Sequence, residues 1–321
     1  MKKLLALVLL AVAGLAVGLW FIQGWSGAGP AQRPTPVVIA SGTSLVEAAR
    51  QLEKAGVIGS AERFLFQAKL LGSREPIKAG EYEFPARASH AEVLALLQDA
   101  RTLQRMVTIP EGLPSVMVHE RLMKAATLTG EVPVPEEGSV LPDSYSYQRG
   151  EARSAVMKRM QAAMTKTLDA LWPKRNPATV VKTPREAIIL ASIVEKETGK
   201  ASERRMIAGV YSNRLRQGMK LDADPTVIYP ITRGKPLGRR ILRSELNADN
   251  GYNTYARAGL PLGPIANPGK DSIAAVLNPE PTQALYFVAD GTGGHVFANT
   301  LAEHNANVRK WFAIRRARGE M

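Results

Sequence analysis

The chain has 321 residues and a formal net charge of +13, and its 45% hydrophobic and 22% charged residues are typical of a globular protein. It contains no cysteine, which excludes disulfides, thiolate metal sites, cysteine nucleophiles and a lipid anchor on an N-terminal cysteine. The positive charge favours anionic partners. A basic cluster at residues 309–318 indicates either a solvated helix end or a contact with anionic phospholipid.

An apolar stretch at residues 4–22 follows Lys2 and Lys3. Its length is close to the roughly 20 residues with which a helix crosses a bilayer, whereas the core of a cleaved signal peptide spans roughly 7–15. The sequence therefore favours an uncleaved transmembrane helix over a signal peptide. The two lysines predict a cytoplasmic N-terminus and place the rest of the chain outside. Either alternative exports the chain and argues against a nucleic-acid partner.

The exported part is predicted to begin with a linker over residues 23–35. Residues 36–84 have a strand–helix–helix–strand pattern, in which Ser44 and Glu47 form a capping box, and Ser89 and Glu92 form another before a further helix. This order predicts a LysM-like, carbohydrate-binding subdomain over residues 36–101, with a purely structural unit as the alternative. Residues 102–321 are assigned to a second domain, and the fold class is α+β.

One helix of this second domain has strong start signals, because Thr183 can cap it and Pro184 occupies its first position. Residues 187–194 are apolar around the whole circumference, so the helix is expected to be buried on all sides. Glu195 continues a buried stripe in the last turn, where burial and the helix dipole both disfavour a negative charge. A carboxyl group that stays protonated near neutral pH suits a general acid for glycosidic cleavage.

The alternative for Glu195 is a buried ion pair with Lys196 or Arg204, since structural ion pairs also involve carboxylates in such places. Glu197 points to another side of the helix and is expected to have a structural or supporting role. The next helix, at about residues 202–216, is predicted from its apolar spacing.

Many short motifs in the last 130 or so residues stand in the order found in the YceG-like endolytic murein transglycosylases, and the chain resembles that family. They are Ala191–Thr198, Ala201–Arg204, Asn213–Leu215, Asp224–Tyr229, Tyr252–Tyr255, Gly259–Ile265, Asn267–Gly269, Tyr286–Gly291, Gly294–Phe297 and His304–Asn305. The N-terminal half matches more loosely, through Lys78–Phe84, Ile109–Gly112 and Pro142–Tyr145. Asp222 departs from the pattern, since relatives often carry glutamine there.

The resemblance implies a single-pass protein of the bacterial inner membrane whose catalytic domain, residues 102–321, lies in the periplasm. The implied reaction is non-hydrolytic cleavage of the MurNAc–GlcNAc bond within nascent glycan strands, which leaves 1,6-anhydro-MurNAc ends and limits strand elongation. The resemblance places the catalytic glutamate at Glu195. It implies no cofactor, and it suggests glycan strands as substrate and peptidoglycan synthases as candidate partners.

Further residues are expected to line the cleft or to support the acid. Asp224, Tyr252, Asn253 and Thr254 lie in segments punctuated by proline and glycine, and a turn-forming role is the alternative for each. Two further candidates lie on predicted helices. They are Asn213, near the end of its helix, and Glu197. His295 begins the second strand of a predicted hairpin, residues 285–297, where it could face the cleft or the surface.

Two other functions remain open at this stage. A conventional glycoside hydrolase would use Asp222 or Asp224 as a second carboxylate. A non-catalytic wall-binding scaffold would need no acid at all. No metal site is predicted, because the four histidines show no paired helical spacing.

Overall fold

The computed structural model describes residues 12, 18, 21–99, 103 and 105–320 of the protein. The predicted transmembrane stretch, residues 4–22, lies almost entirely outside these residues. Within the described residues, no helix combines the length and the apolar character needed to cross a membrane.

The chain divides into two units, of which the first comprises Met1–Arg105 together with Ser146–Gly150. The second comprises Met106–Tyr145 and Glu151–Met321. The sequence predicted a single boundary, between residues 101 and 102, with each domain formed by one continuous segment. That boundary stays a prediction.

The helices and strands of the first unit follow the predicted order, and both predicted capping boxes are present. They are β1 (Thr35–Ile39), α1 (Leu45–Lys54), α2 (Ala61–Leu71), β2 (Gly80–Phe84) and α3 (His90–Gln98). β1 and β2 pair in antiparallel fashion, with Thr35 opposite Phe84 and Ile39 opposite Gly80. The three helices bury their apolar residues against this hairpin, and the core includes Leu52, Phe64 and Leu97. This arrangement is what the periodicity predicted, while the LysM-like identity of the unit stays a prediction.

The segment predicted to be a linker, residues 23–35, packs onto the first unit. Residues 21–26 are helical, and Trp25 contacts the hydrophobic core of this unit. Ala31 is buried as well.

The second unit is predominantly helical, and its strands are short. Its elements are β3 (Arg105–Thr108, whose first residue belongs to the first unit), α4 (Ser115–Lys124), β4 (Ser144–Tyr147, which crosses the unit boundary), α5 (Arg153–Leu171), α6 (Pro184–Glu197), α7 (Arg204–Arg216), α8 (Asp224–Thr232), α9 (Arg243–Leu246), α10 (Lys270–Leu277), β5 (Tyr286–Ala289), β6 (His295–Ala298) and α11 (Leu301–Ala317). β3 pairs with β4, and β5 forms an antiparallel hairpin with β6, as predicted for the latter. The α+β class is thereby confirmed.

Helix α6 is the centre of this unit. The Thr183 hydroxyl accepts a hydrogen bond from the Glu186 N–H at 3.1 Å, and Pro184 is the first helical residue, as the sequence predicted. Every residue of the run 187–194 is buried, because α7 and α10 pack against the helix. Thr198 then ends the helix in an extended conformation, just after the two glutamates of the last turn.

Three helices of the second unit, α8, α9 and α10, were not predicted. Asp224 had been assigned to a loop, but it is the first residue of α8, and Pro225 follows it in the first turn. That assignment was wrong because Pro230 lies inside the same helix, and proline in a helix interior normally indicates a break. Helix α10 begins at Lys270 after Gly269 and is too short for a clear periodic signal.

Candidate active site

Glu195, the acid predicted from the sequence, is held by two hydrogen-bond donors. Its side chain is 5% exposed. Its Oε2 accepts a hydrogen bond from the Gly269 N–H at 2.8 Å, and its Oε1 accepts one from Arg204 Nη2 at 3.4 Å. The ion pair with Arg204, which the sequence left open as an alternative, is therefore present.

Arg204 is shared among three carboxylates. Its Nη2 donates to Glu111 Oε2 at 2.8 Å, and its Nη1 lies 3.6 Å from Asp271 Oδ2. Burial raises the pKa of the Glu111 carboxyl, and the negative charges of Glu195 and Asp271 add to this effect, which Arg204 opposes. The sequence signalled Glu111 only through the motif Ile109–Gly112, so its contact with the acidic cluster became visible only in three dimensions.

Two glycines let the backbone approach this cluster. A Cβ atom at Gly269 would lie 2.0 Å from Glu111 Oε1, so a larger residue there would displace the Glu111 side chain from Arg204. Gly112 has a φ of +70°, and a Cβ there would lie 3.3 Å from Glu195 Cγ. The close approach of Gly269 is what allows its N–H to reach the Glu195 carboxylate.

Glu197 lies in a different environment, although only one residue separates it from Glu195. Its Oε1 is buried and has no hydrogen-bond partner among the described residues. Burial is the main cause that raises the pKa of the Glu197 carboxyl to about 7, and the charge of Asp224 adds to it. The Tyr211 hydroxyl and the Arg214 charge act in the opposite direction. A carboxyl group with this pKa is about half protonated at neutral pH.

The groups around Glu197 are themselves held in place. Tyr211 is 1% exposed. Arg214 Nη1 donates to Asp222 Oδ2 at 3.0 Å, and its Nε donates to the Leu285 carbonyl at 2.6 Å. Asp224 Oδ1 accepts a hydrogen bond from the Tyr255 hydroxyl at 2.7 Å. The carboxyl group of Glu197 thus faces side chains that are fixed by other contacts.

Three of the other predicted residues make contacts with neighbouring backbone. Asn213 Nδ2 donates to the carbonyls of Thr282 and Ala284 at 2.8 and 3.1 Å. Asn253 is 2% exposed and donates to three carbonyls of the segment 245–248. Thr254 Oγ1 accepts from the Ala223 N–H at 3.0 Å. Of the three, Asn253 makes local contacts that match the turn-forming alternative that the sequence left open for it.

Tyr252 and His295 make side-chain contacts. The Tyr252 ring lies 4.9 Å from the Tyr229 ring, centroid to centroid. His295 Nδ1 lies 2.8 Å from Glu203 Oε2, and its backbone N–H donates to Glu203 Oε1 at 3.0 Å. Glu203 thereby ties the β5–β6 hairpin to the segment just before α7.

The described residues include no group of three or more His, Asp or Glu side chains that could hold a metal ion. The site contains several carboxyl groups, which differ in their ion-pair and hydrogen-bond partners. Glu195 belongs to a charged cluster with Arg204, whereas Glu197 is buried without a matching cation of its own. The site can hold a proton near neutral pH and release it.

The fold and this site define an α+β protein that presents a protonatable carboxyl group at the end of a buried helix. A model of the YceG-like family matches residues 37–310, and the chain belongs to this family. The resemblance noted in the sequence is thereby confirmed.

The relatives of the chain include proteins of two bacteria. It is 30% identical to the endolytic murein transglycosylase of Streptococcus pneumoniae, a match that covers 85% of this chain and 57% of the relative. It is 35% identical to the endolytic murein transglycosylase of Bacillus subtilis, over 56% of this chain and 49% of the relative. The chain therefore spans about half the length of the curated relatives it matches.

A solved structure of the family is similar as well. The crystal structure of a YceG-like protein from Listeria monocytogenes matches with a TM-score of 0.51 and 28% sequence identity. The match covers 86% of this chain and 99% of that one.

Proposed function

We propose that the protein is an endolytic lytic transglycosylase of peptidoglycan, which cleaves the MurNAc–GlcNAc bond within nascent glycan strands and leaves 1,6-anhydro-MurNAc ends. Membership of the YceG-like family and the similarity to two endolytic murein transglycosylases support this function. The observation that carries it is Glu197, a buried carboxyl group with a pKa of about 7 at the end of α6.

Two properties favour Glu197 over Glu195 as the acid. Both oxygens of Glu195 accept hydrogen bonds, one of them from a guanidinium group, so both are already engaged by partners within the fold. One oxygen of Glu197 has no hydrogen-bond partner in the described part of the chain, and the pKa of its carboxyl group is about 7, so it can carry the proton that a general acid must donate. The assignment of the acid to Glu195 stays a prediction, and the experiment below separates the two residues.

The reaction needs only one such group. The protonated Glu197 donates its proton to the glycosidic oxygen as the bond from that oxygen to C1 of MurNAc breaks, so that GlcNAc leaves with a free 4-hydroxyl. The resulting carboxylate then accepts the proton of the C6 hydroxyl of the same MurNAc, and that oxygen bonds to C1. The proton count balances without water, and the acid is restored.

A hydrolase would need a second carboxylate free to activate water. The two aspartates considered for this role both have partners, since Asp222 pairs with Arg214 and Asp224 accepts from Tyr255. These contacts support the lytic reaction over hydrolysis. They also favour a role for Asp224 in raising the pKa of the acid, and not in direct contact with the substrate.

The test uses the full chain in detergent with nascent, uncrosslinked glycan strands, and it compares wild type with Glu197→Gln and Glu195→Gln. Mass spectrometry of the products is expected to detect anhydro ends from wild type. Loss of the general acid should lower kcat by roughly 100-fold or more in Glu197→Gln. We expect a smaller loss in Glu195→Gln, because Arg204 keeps Glu111 as a partner.

Each alternative has its own outcome in this experiment. A large loss in Glu195→Gln alone would assign the acid to Glu195. Reducing ends in place of anhydro ends would identify a hydrolase. A folded wild-type chain that binds strands without cutting them would favour the wall-binding scaffold, and circular dichroism of each variant checks the folding.

We also propose that residues 4–22 anchor the chain in the bacterial inner membrane, with the N-terminus in the cytoplasm and residues 36–321 in the periplasm. The apolar stretch behind Lys2 and Lys3 supports this topology. Alkaline phosphatase fused after Met321 should be active in cells, and an inactive but expressed fusion would contradict the topology. We propose further that residues 36–101 bind glycan and that the protein contacts peptidoglycan synthases.

A further inference from the structure

A groove opens beside the end of helix α6, within the second unit. It has a volume of about 500 Å³. Its wall is formed mainly by apolar side chains and glycine, and the lining includes Leu113, Met117, Lys196, Pro225, Ile228 and Leu237. The volume lies within the range that small-molecule sites of proteins usually have, roughly 300–1,000 Å³.

Two lysines line this groove, and they differ in their partners. Lys235 forms an ion pair with Glu120. Lys196 makes no ion pair with any carboxylate among the described residues, and its Nζ lies 3.5 Å from the Gly112 carbonyl oxygen. Its side chain is exposed, and its place in the last turn of α6 puts the ammonium group near the negative end of the helix dipole. The groove therefore presents a positive charge that can accept an anionic group.

The groove adjoins the end of α6 that carries both glutamates. Its lining includes Gly112, where a Cβ atom would lie 3.3 Å from Glu195 Cγ, and Pro225, which directly follows Asp224, whose charge acts on Glu197. In peptidoglycan, the stem peptide is attached through the lactyl group at C3 of the same MurNAc ring whose C1 reacts. A strand placed for cleavage at Glu197 must therefore direct its peptide into space close to the end of α6.

The chemistry of the lining distinguishes a peptide from a sugar. Sugar rings present hydroxyl groups on all sides and need many hydrogen-bonding groups, but the described residues that line the groove include no aromatic side chain and few polar ones. Its carboxylate, Glu111, is already bound to Arg204. A stem peptide carries alanine methyl groups that suit the apolar wall and carboxylates that suit the ammonium group of Lys196.

We infer that this groove binds the stem peptide of the glycan strand, with the ammonium group of Lys196 paired with a peptide carboxylate. The inference rests on the proposed function for the position of the strand. It makes the enzyme selective for strands that carry peptides.

The first arm of the test compares cleavage of two substrates by the full chain in detergent. One is a set of peptide-bearing strands, and the other is the same strands after an amidase has removed the peptides. We expect wild type to prefer the peptide-bearing strands by about 10-fold in kcat/KM, mainly through KM, as a charge-assisted hydrogen bond would produce. This ratio should fall toward 1 in Lys196→Ala and be largely kept in Lys196→Arg.

The control is Lys166→Ala, which removes the same charge from an exposed position on α5. Its substrate ratio should equal that of wild type. If the substrate ratio fell equally in Lys196→Ala and Lys166→Ala, net charge would explain the preference and the inference would be overturned. Equal cleavage of the two substrates by wild type would overturn it as well.

The second arm measures binding of a free stem peptide, without glycan or lipid, to the full chain by calorimetry. We expect saturable binding that Lys196→Ala weakens about 10-fold, in proportion to the loss of a charge-assisted hydrogen bond. Peptide binding without any strand cleavage would refute the proposed function and leave the groove assignment standing. If the free peptide does not bind wild type, the peptide is rejected as the occupant of the groove. The same conclusion would be supported if Lys196→Ala bound peptide-free or lipid-linked strands with the same affinity as wild type.

Discussion

Glu195 and Glu197 are two residues apart in a helix of 3.6 residues per turn, so their side chains leave α6 on nearly opposite sides. One side meets Arg204 and the Gly269 N–H, and the other meets Tyr211 and buried surface. Burial without a dedicated cation disfavours the charged form of Glu197, which is why its pKa rises to about 7. At the scale of single residues, the local partners therefore distinguish Glu195, which is held by Arg204, from Glu197, the proposed proton donor.

The pH dependence of kcat/KM follows from that separation. Since only the protonated form of Glu197 can donate, kcat/KM should fall about tenfold per pH unit above a midpoint near pH 7, the value of its pKa. Asp224→Asn removes a negative charge that raises this pKa, so the midpoint should move to lower pH. Tyr211→Phe removes a hydroxyl that lowers it, so the midpoint should move to higher pH.

Initial rates over pH 5–9 with wild type and both variants measure these midpoints. Shifts of opposite sign would identify Glu197 as the titrating acid. A wild-type midpoint that neither variant moves would assign the proton to another group, and Glu195→Gln would then be the next variant to titrate.

At the scale of elements, helix α7 is placed by the close approach of its backbone to the segment 280–282. A Cβ atom at Gly209 would lie 2.6 Å from the Glu280 carbonyl oxygen and 2.8 Å from Thr282 Cγ2. The same side of the helix is held by Asn213, which donates to the Thr282 carbonyl. This contact positions Tyr211, since it lies on the same helix between Gly209 and Asn213.

Gly209→Ala should therefore destabilise the protein. The clash with backbone costs about 1–3 kcal/mol, and the better helix propensity of alanine returns up to about 1 kcal/mol, so the net loss should be about 1–2 kcal/mol. Gly199→Ala is the matched control, because nothing lies within 4 Å of a Cβ atom there. Urea unfolding measures both variants, and equal stability of the two would show that α7 can move away from the segment at little cost.

At the scale of the whole molecule, the first unit is assembled from two separate parts of the chain. Glu81 on β2 is 7% exposed and accepts hydrogen bonds from Arg105 and from Arg149, which belongs to the segment 146–150. Burial by itself would raise the pKa of the Glu81 carboxyl. The two arginines outweigh burial, so the net pKa is lowered.

Stability should therefore depend on pH through this cluster. A carboxyl group with a lowered pKa in the folded state stabilises the protein above its unfolded pKa and loses that effect as pH falls through the folded value. Glu81→Gln should lower the free energy of unfolding by about 1–2 kcal/mol near neutral pH, as the loss of hydrogen bonds to a charged group does. The difference from wild type should shrink as the pH falls below about 4.

The control is Glu83→Gln, an exposed position on the same strand. Thermal unfolding of both variants between pH 3 and 7 measures the effect. A Glu81→Gln difference that stays constant with pH would indicate lost packing and not the ion pairs.

Most elements could be predicted from the sequence because their signals are local. Ser44, Ser60, Ser89 and Thr183 each cap the helix that was predicted after them. Side-chain capping involves only neighbouring residues, so it depends little on the rest of the fold. Helix α8 was missed because Pro230 gives the opposite local signal, and a helix that short is stabilised mainly by its tertiary contacts.

The site was only partly predictable, because some of its contacts join residues that are distant in sequence. The sequence by itself determined the α+β class, the buried helix α6 and the pair of glutamates in its last turn, since these follow from periodicity and capping. Only the tertiary structure decided that Arg204 and Gly269 donate hydrogen bonds to Glu195 and that one oxygen of Glu197 has no partner among the residues that the structure describes. The affinity of a carboxyl group for its proton depends on burial and on charges within a few ångströms, and residues distant in sequence supply both.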